Sequence, residues 1–92
     1  MTVEVRLPTL LRPAAGGKTT VTVDGSTIGE VLADLQQSYP AMAGQVLTAS
    51  GDLHRFVNVY VNDDDVRYLD RLETKVADGD TVSILPAVAG GA

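Results

Sequence analysis

Ile28, Val31, Leu32 and Leu35 recur at i, i+3, i+4 and i+7, and Tyr39 continues the row. That spacing is one apolar face of a single amphipathic helix. It constrains the fold strongly, because the rest of the chain is patterned mainly as strands and must cover the stripe. Thr27 with Glu30 three residues later fits a capping box, and Asp34 adds negative charge near the early turns. Pro40 marks the stop. Ala41 to Leu47 has room for a short further turn of helix, and Thr48 to Asp52 reads as surface loop.

Val3 to Leu7 alternates apolar and polar residues, the period of a half-buried strand. Arg12 to Gly17 reads as a turn-rich loop after Pro8, and Thr19 to Val23 is dense in β-branched residues that favour a strand. Phe56 to Val61 is a further strand, with Val57, Val59 and Val61 on one face and Phe56, Asn58 and Tyr60 on the other. Asn62 to Asp65 turns the chain, Val66 to Tyr68 suits a short edge strand, and Asp78-Gly79-Asp80 is a tight turn. Thr81 to Leu85 is the last strand, closed by Pro86, with Val82 and Ile84 pointing inward. The order predicts an α+β domain, a mixed sheet of four to five strands with one main helix on one face. If Val82 and Ile84 face the helix, Leu85 faces away, beside Phe56 or Tyr60 on a neighbouring strand. That cluster is either a docking surface or a patch covered by loops.

With 92 residues the chain is one domain, near the lower end of what folds without staples. There is no cysteine, so disulfides, thiolate nucleophiles and thiolate metal sites are excluded. No apolar run approaches a membrane span, and Met1 to Arg6 lacks an export pattern, so a soluble cytoplasmic monomer is expected. A net charge of −5 disfavours nucleic acid, whose phosphates need Lys and Arg.

Few residues suggest chemistry within this domain. Gly16-Gly17-Lys18-Thr19 looks like the end of a phosphate-binding loop, but Arg12 stands where that motif needs glycine, and a strand follows instead of a helix. Asp63, Asp64, Asp65 and Asp70 lack the glycine and flanking helices of a calcium loop and read as a solvated turn. His54 is the single histidine, and a surface position is its default reading. The domain is therefore expected not to be an enzyme.

The reactive element is expected in the tail, Ala87-Val88-Ala89-Gly90-Gly91-Ala92. Small residues have little to pack with, and glycine loses the most freedom on ordering, so the tail should be mobile when free. It is slim enough to thread an enzyme channel, reaching about 20 Å from Pro86 to Gly91 at roughly 3.3–3.6 Å per residue. A terminal carboxylate after Gly-Gly can be activated as an acyl-adenylate. The plain alternative is a frayed end.

The order of elements resembles the β-grasp, or ubiquitin-like, fold, and the chain resembles the ThiS/MoaD family of sulfur carriers. Within that family it is most like the actinobacterial cysteine-biosynthesis carriers (CysO-type). The resemblance is carried by Leu7 to Pro13, Leu53 to Asp63, Asp64 to Arg67 and Ala77 to Gly91, most specifically by Asp-Gly-Asp, strand, Pro86 and Gly90-Gly91.

That resemblance implies a domain over 1–86 and a tail over 87–92, the latter threaded through Gly90 and activated on Gly91. An adenylating enzyme of the ubiquitin-activating type, with ATP and Mg, would form the adenylate, and sulfur transfer would give a thiocarboxylate. In the cysteine branch it would attack an aminoacrylate on a PLP-dependent cysteine synthase. The resulting thioester would rearrange to an amide, and a zinc-dependent JAMM-type metalloprotease would release cysteine. The carrier itself would bind no cofactor. Leu85, Pro86, Phe56 and Tyr60, with Ala87, Val88 and Ala89, are the implied partner contacts. Family members usually end at Gly-Gly, so Ala92 is expected to be removed by a protease, to mark a precursor, or not to be native.

Two other classes share these features. A ubiquitin-like modifier joined to lysines would use the same adenylated end, and a plain interaction module would leave the tail inert. Thiamin, molybdopterin or a secondary metabolite is an alternative destination for the sulfur.

Overall fold

The computed structural model describes residues 2–48, 50–55 and 57–86. Phe56 and Ala87 to Ala92, to which the sequence assigns contact, threading or reactive roles, lie outside the described residues. The elements in chain order are β1 (Thr2–Arg6), β2 (Thr20–Asp24), α1 (Ile28–Ser38), β3 (Val57–Val61), β4 (Asp64–Asp65) and β5 (Thr81–Pro86). Short 3₁₀ turns lie between them. The five strands form one sheet in the order β2-β1-β5-β3-β4. β1 and β5 run parallel at its centre, and every other neighbour is antiparallel.

The expected single helix on a mixed sheet is therefore the architecture found. Ile28, Val31, Leu32 and Leu35 are each 0% exposed, so the whole stripe is spent on the core. Beneath it the register aligns one row of valines across four strands, Val21–Val5–Val82–Val61. Val23–Val3 and Ile84–Val59 extend the same buried face. A one-residue slip of any strand would turn its buried residues outward, so apolar patterning holds the register. Met42, Val46, Leu47, Val66 and Val76 close the core around its margin.

Both ends of α1 are fixed by residues visible in the sequence. The Glu30 N–H donates to Thr27 Oγ1 (3.2 Å), the expected cap. The reciprocal arm differs from the capping box: Glu30 Oε1 accepts from the N–H and hydroxyl of Ser26, at 2.9 and 2.8 Å. Thr27 is bridged instead to Lys75, and Ile28 N–H donates to Thr74 O (2.9 Å), so the segment before β5 ties down the helix start. Asp34 acts on tertiary structure, accepting the Asp24 N–H at 3.0 Å. Gly25 permits the tight entry, because a Cβ there would stand 2.7 Å from Val31 N. Tyr39 caps the far end and lies half-buried against the core, and Pro40 opens a 3₁₀ turn over Pro40–Met42.

The two Ser26 bonds, the backbone one first, hold the Glu30 carboxyl below its usual range. A lowered folded-state pKa contributes stability above the ordinary carboxylate value, and that contribution disappears as pH falls through the Glu30 midpoint. Ser26→Ala should move the midpoint up toward the ordinary value in an NMR titration of the Glu30 carboxyl. An unchanged midpoint would refute the hydroxyl's share of this cap, since the backbone bond survives the substitution.

Of four expectations, two are refined and two are corrected. Within the expected turn-rich loop, Arg12–Ala15 forms a 3₁₀ turn ended by Gly16 in the left-handed region (φ 68°), because Pro13 presets the turn and Ala15 is drawn into the core. Val66–Tyr68 is also a 3₁₀ turn; the edge strand is the two-residue β4 just before it. There Asp65 accepts the Arg67 N–H (2.8 Å) and closes the turn, overriding β propensity. His54 is half-buried rather than on the surface, with its N–H donating to Val46 O at 2.8 Å. Pro86 closes β5 as its last residue, paired opposite Val57.

The Asp78-Gly79-Asp80 turn does more than reverse the chain. Asp78 Oδ1 accepts the Thr2 N–H (2.9 Å), Gly79 N–H donates to Thr2 O (2.9 Å) and Asp80 O accepts from Glu4 N–H (3.1 Å). Gly79 adopts φ +87°, where a side chain would be strained. The turn thereby clamps the start of β5 to the start of β1 and sets the parallel pair.

Candidate functional site

β5 is a central strand whose last residue, Pro86, is exposed and leads into Ala87. Its outward face carries Thr81, Ser83 and Leu85, as the alternation predicts. Leu85 is 47% exposed, so the reading in which loops cover it is excluded. Tyr60, half-buried, stands opposite Ser83 on β3, and Asn58 stands opposite Leu85. Tyr60 and Leu85 line one shallow hollow with Asn62, Asp63 and Ser83, of about 240 Å³. The structure thus brings together Leu85 and Tyr60, two of the predicted contact residues, while Pro86 follows Leu85 and pairs with Val57.

Pro86 also borders two larger depressions. A groove of about 840 Å³ runs between residues 83–86 and the segment after β1, lined by Arg6, Leu7, Pro8, Thr9, Leu10 and Arg12. A smaller apolar hollow of about 260 Å³ lies on the other side, formed by Pro8, Leu10, Leu11, Gly44, Gln45, His54 and Val57 with Pro86. Leu10, 73% exposed, borders both. Pattern reading does not single out Leu10 or Pro8 as part of this surface. The available signal was the apolar run Leu10-Leu11 between two prolines, which is too much hydrophobic surface for a plain loop.

The arginines give this face local positive charge in an acidic chain. Arg12 is held in place, its Nε donating to Leu7 O at 3.2 Å. Among the described residues no group of three or more His, Cys, Asp or Glu side chains could hold a metal ion. Gly16-Gly17-Lys18 leads directly into β2, which is not the strand-to-helix geometry of a phosphate loop. Lys18 instead lies 5.9 Å from the centre of the Tyr39 ring. The described surface is suited to docking, with apolar contacts surrounding the root of the tail.

Comparison with known proteins agrees with this geometry. The model of the ThiS family matches residues 5–91, a span that ends on Gly91. Sulfur carrier protein CysO of Mycobacterium tuberculosis is 52% identical over 93 residues, covering 99% of this chain and 100% of that one. Its crystal structure superposes with a TM-score of 0.87 at 50% identity, over 94% of this chain and 99% of the other. A chain of the Amycolatopsis orientalis BexX/CysO complex gives 0.87 at 46% identity, over 97% and 99%. Small archaeal modifier protein 3 of Haloferax volcanii is 37% identical over 93 residues, covering 99% of this chain and 100% of that protein. In fold over the described residues, and in sequence over residues 5–91, the chain belongs to the ThiS family of β-grasp proteins.

Proposed function

We propose that this protein is a sulfur carrier, and that its chemistry takes place at the Gly91 carboxyl group. The observation that carries the reading is full-length likeness to CysO, with the family match ending on Gly91. A carboxylate is a poor electrophile. Its oxygen would attack the α-phosphorus of ATP, expelling pyrophosphate and leaving an acyl-adenylate. A sulfur nucleophile would then displace AMP to give the thiocarboxylate. Any residue after Gly91, here Ala92, must be cleaved first, because an amide carbonyl offers no carboxylate to activate.

The body's part is to bind and present. Glycine at 90 and 91 lets the backbone approach a catalytic centre closely. Leu85, Pro86 and Tyr60 would dock on an adenylating enzyme of the ubiquitin-activating type, with Phe56 and Ala87 to Ala89 completing the contact. A related CysO is found in complex with BexX, which supports a partner protein for this chain. By kinship with CysO, cysteine synthase is the preferred sulfur acceptor and a JAMM-type metalloprotease the releasing enzyme. ATP, Mg, PLP and Zn would belong to those partners.

ATP–pyrophosphate exchange by an adenylating enzyme of this class, dependent on the chain ending at Gly91, tests the reading. Exchange absent with that chain would refute it. Leu85→Asp should raise the KM for the carrier about tenfold, the loss expected when a charge replaces an apolar anchor. Its melting temperature should stay put, because surface substitutions usually change stability by less than about 0.5 kcal/mol. An unchanged KM would remove Leu85 from the interface.

A second reading is favoured by the modifier relative: conjugation of Gly91 to lysines of other proteins. Branched Gly-Gly remnants on cellular lysines after proteolysis would support it.

A further inference from the structure

The pairing of β3 with β5 contains an unusual end. Asn62 N–H donates to Thr81 O (2.7 Å), so residues of that parity, Tyr60 with Ser83 and Asn58 with Leu85, form hydrogen-bonded pairs. Val57 and Pro86 then form a pair of the other kind, in which neither backbone bonds the other. Pro86, which has no N–H, fits there without cost. Val57 therefore turns its carbonyl to the far side of β3, where β4 would supply a donor if it were long enough. But β4 pairs only with Tyr60 and Val61.

Arg67 takes that place. Its Nη2 donates to Val57 O (2.9 Å) and to His54 O (3.4 Å), and its Nη1 donates to Asn58 Oδ1. The half-buried guanidinium thus binds three neutral oxygens at the start of β3 in place of a strand. The 3₁₀ turn that carries Arg67 is itself fixed by Asp65. Val57 in turn borders the apolar hollow beside Pro86.

We infer that Arg67 is a positioning residue for the activation reaction, holding the start of β3 so that its partner, the Leu85–Pro86 end of β5, is kept in one register. The inference rests on the sulfur-carrier reading for its functional half, while its structural half stands on the geometry alone. A planar fork with several donors suits this task, and a lysine ammonium cannot reproduce it.

The test uses the carrier ending at Gly91, unmodified and as Arg67→Met and Arg67→Lys. Amide hydrogen exchange of Asn58 and Leu85 should accelerate about tenfold or more in Arg67→Met, while Val5 and Val82 amides at the sheet centre stay protected. In ATP–pyrophosphate exchange, kcat should fall roughly ten- to a hundredfold with KM nearly unchanged, the signature of a bound but misdirected tail. Arg67→Lys should recover part of the loss. A merely structural defect would reduce the folded fraction and raise the apparent KM instead. Unchanged exchange at Asn58 and Leu85, or accelerated exchange with normal kcat, would overturn the inference. No activity even in the unmodified carrier would refute the sulfur-carrier reading and the functional half with it, while the amide data would still decide the clamp.

Discussion

A chain ending at Gly90 is expected to lose activation altogether while melting at the temperature of the chain that ends at Gly91. The two expectations come from different parts of the molecule. In the proposed reaction, activity depends on a carboxylate delivered to a fixed point, and shortening the tail withdraws it by one residue, about 3.3–3.6 Å. A misplacement of about 1 Å can already cost a hundredfold in rate. Stability depends on the core, and among the described residues no buried position lies beyond Ile84. Calorimetry alongside pyrophosphate exchange reads both. A lowered melting temperature would show that the tail packs on the body, and retained exchange would place the reactive carboxyl elsewhere.

The largest effect on folding is expected at the opposite end of the design. Leu32 is 0% exposed at the centre of the α1 stripe, above the row of valines from four strands. Leu32→Ala removes its buried methyl groups and leaves a cavity that neighbours on a hydrogen-bonded sheet cannot fill. The cost should be about 3 kcal/mol, within the range of ~2–5 for buried leucine truncation. For a domain of this size that lowers the melting temperature by roughly 12–24 °C. Leu10→Ala, at a position 73% exposed, serves as the control and should shift it by less than a few degrees. Equal effects of the two would mean that the helix does not seal this core.

What the sequence made legible was whatever depends on neighbours along the chain. The stripe from Ile28 to Leu35, the Thr27 cap, the Asp78-Gly79-Asp80 turn and the outward position of Leu85 are all local patterns, and each holds. What it hid depends on partners distant in sequence. Val66-Arg67-Tyr68 has the composition of a strand, yet Arg67 folds back to carbonyls of Val57 and His54, ten and thirteen residues away. Nothing local announces those acceptors. The Ser26 arm of the helix cap replaced the expected Thr27 arm because Lys75 and Thr74 reach that end of α1 from the segment before β5. Leu10 escaped notice for the same reason, since its groove partner is β5.

The site divides along the same line. Leu85 and Tyr60 were readable as one outward cluster because alternation fixes which way a strand residue points, whereas Pro86 has the opposite parity and entered through the family resemblance. The parallel pairing of β1 with β5, which sets Arg6 and Leu10 across a groove from Leu85 and Pro86, is a property of topology. Patterning could not supply it.

Gly91 is the residue proposed to carry the sulfur. Intact-mass spectrometry tests this most directly, on the chain ending at Gly91 after incubation with an adenylating enzyme, ATP, magnesium and a sulfur donor. A species heavier by the difference between one sulfur and one oxygen atom is expected, with fragmentation placing the change on Gly91. An unmodified mass under conditions where pyrophosphate exchange proceeds would contradict that proposal.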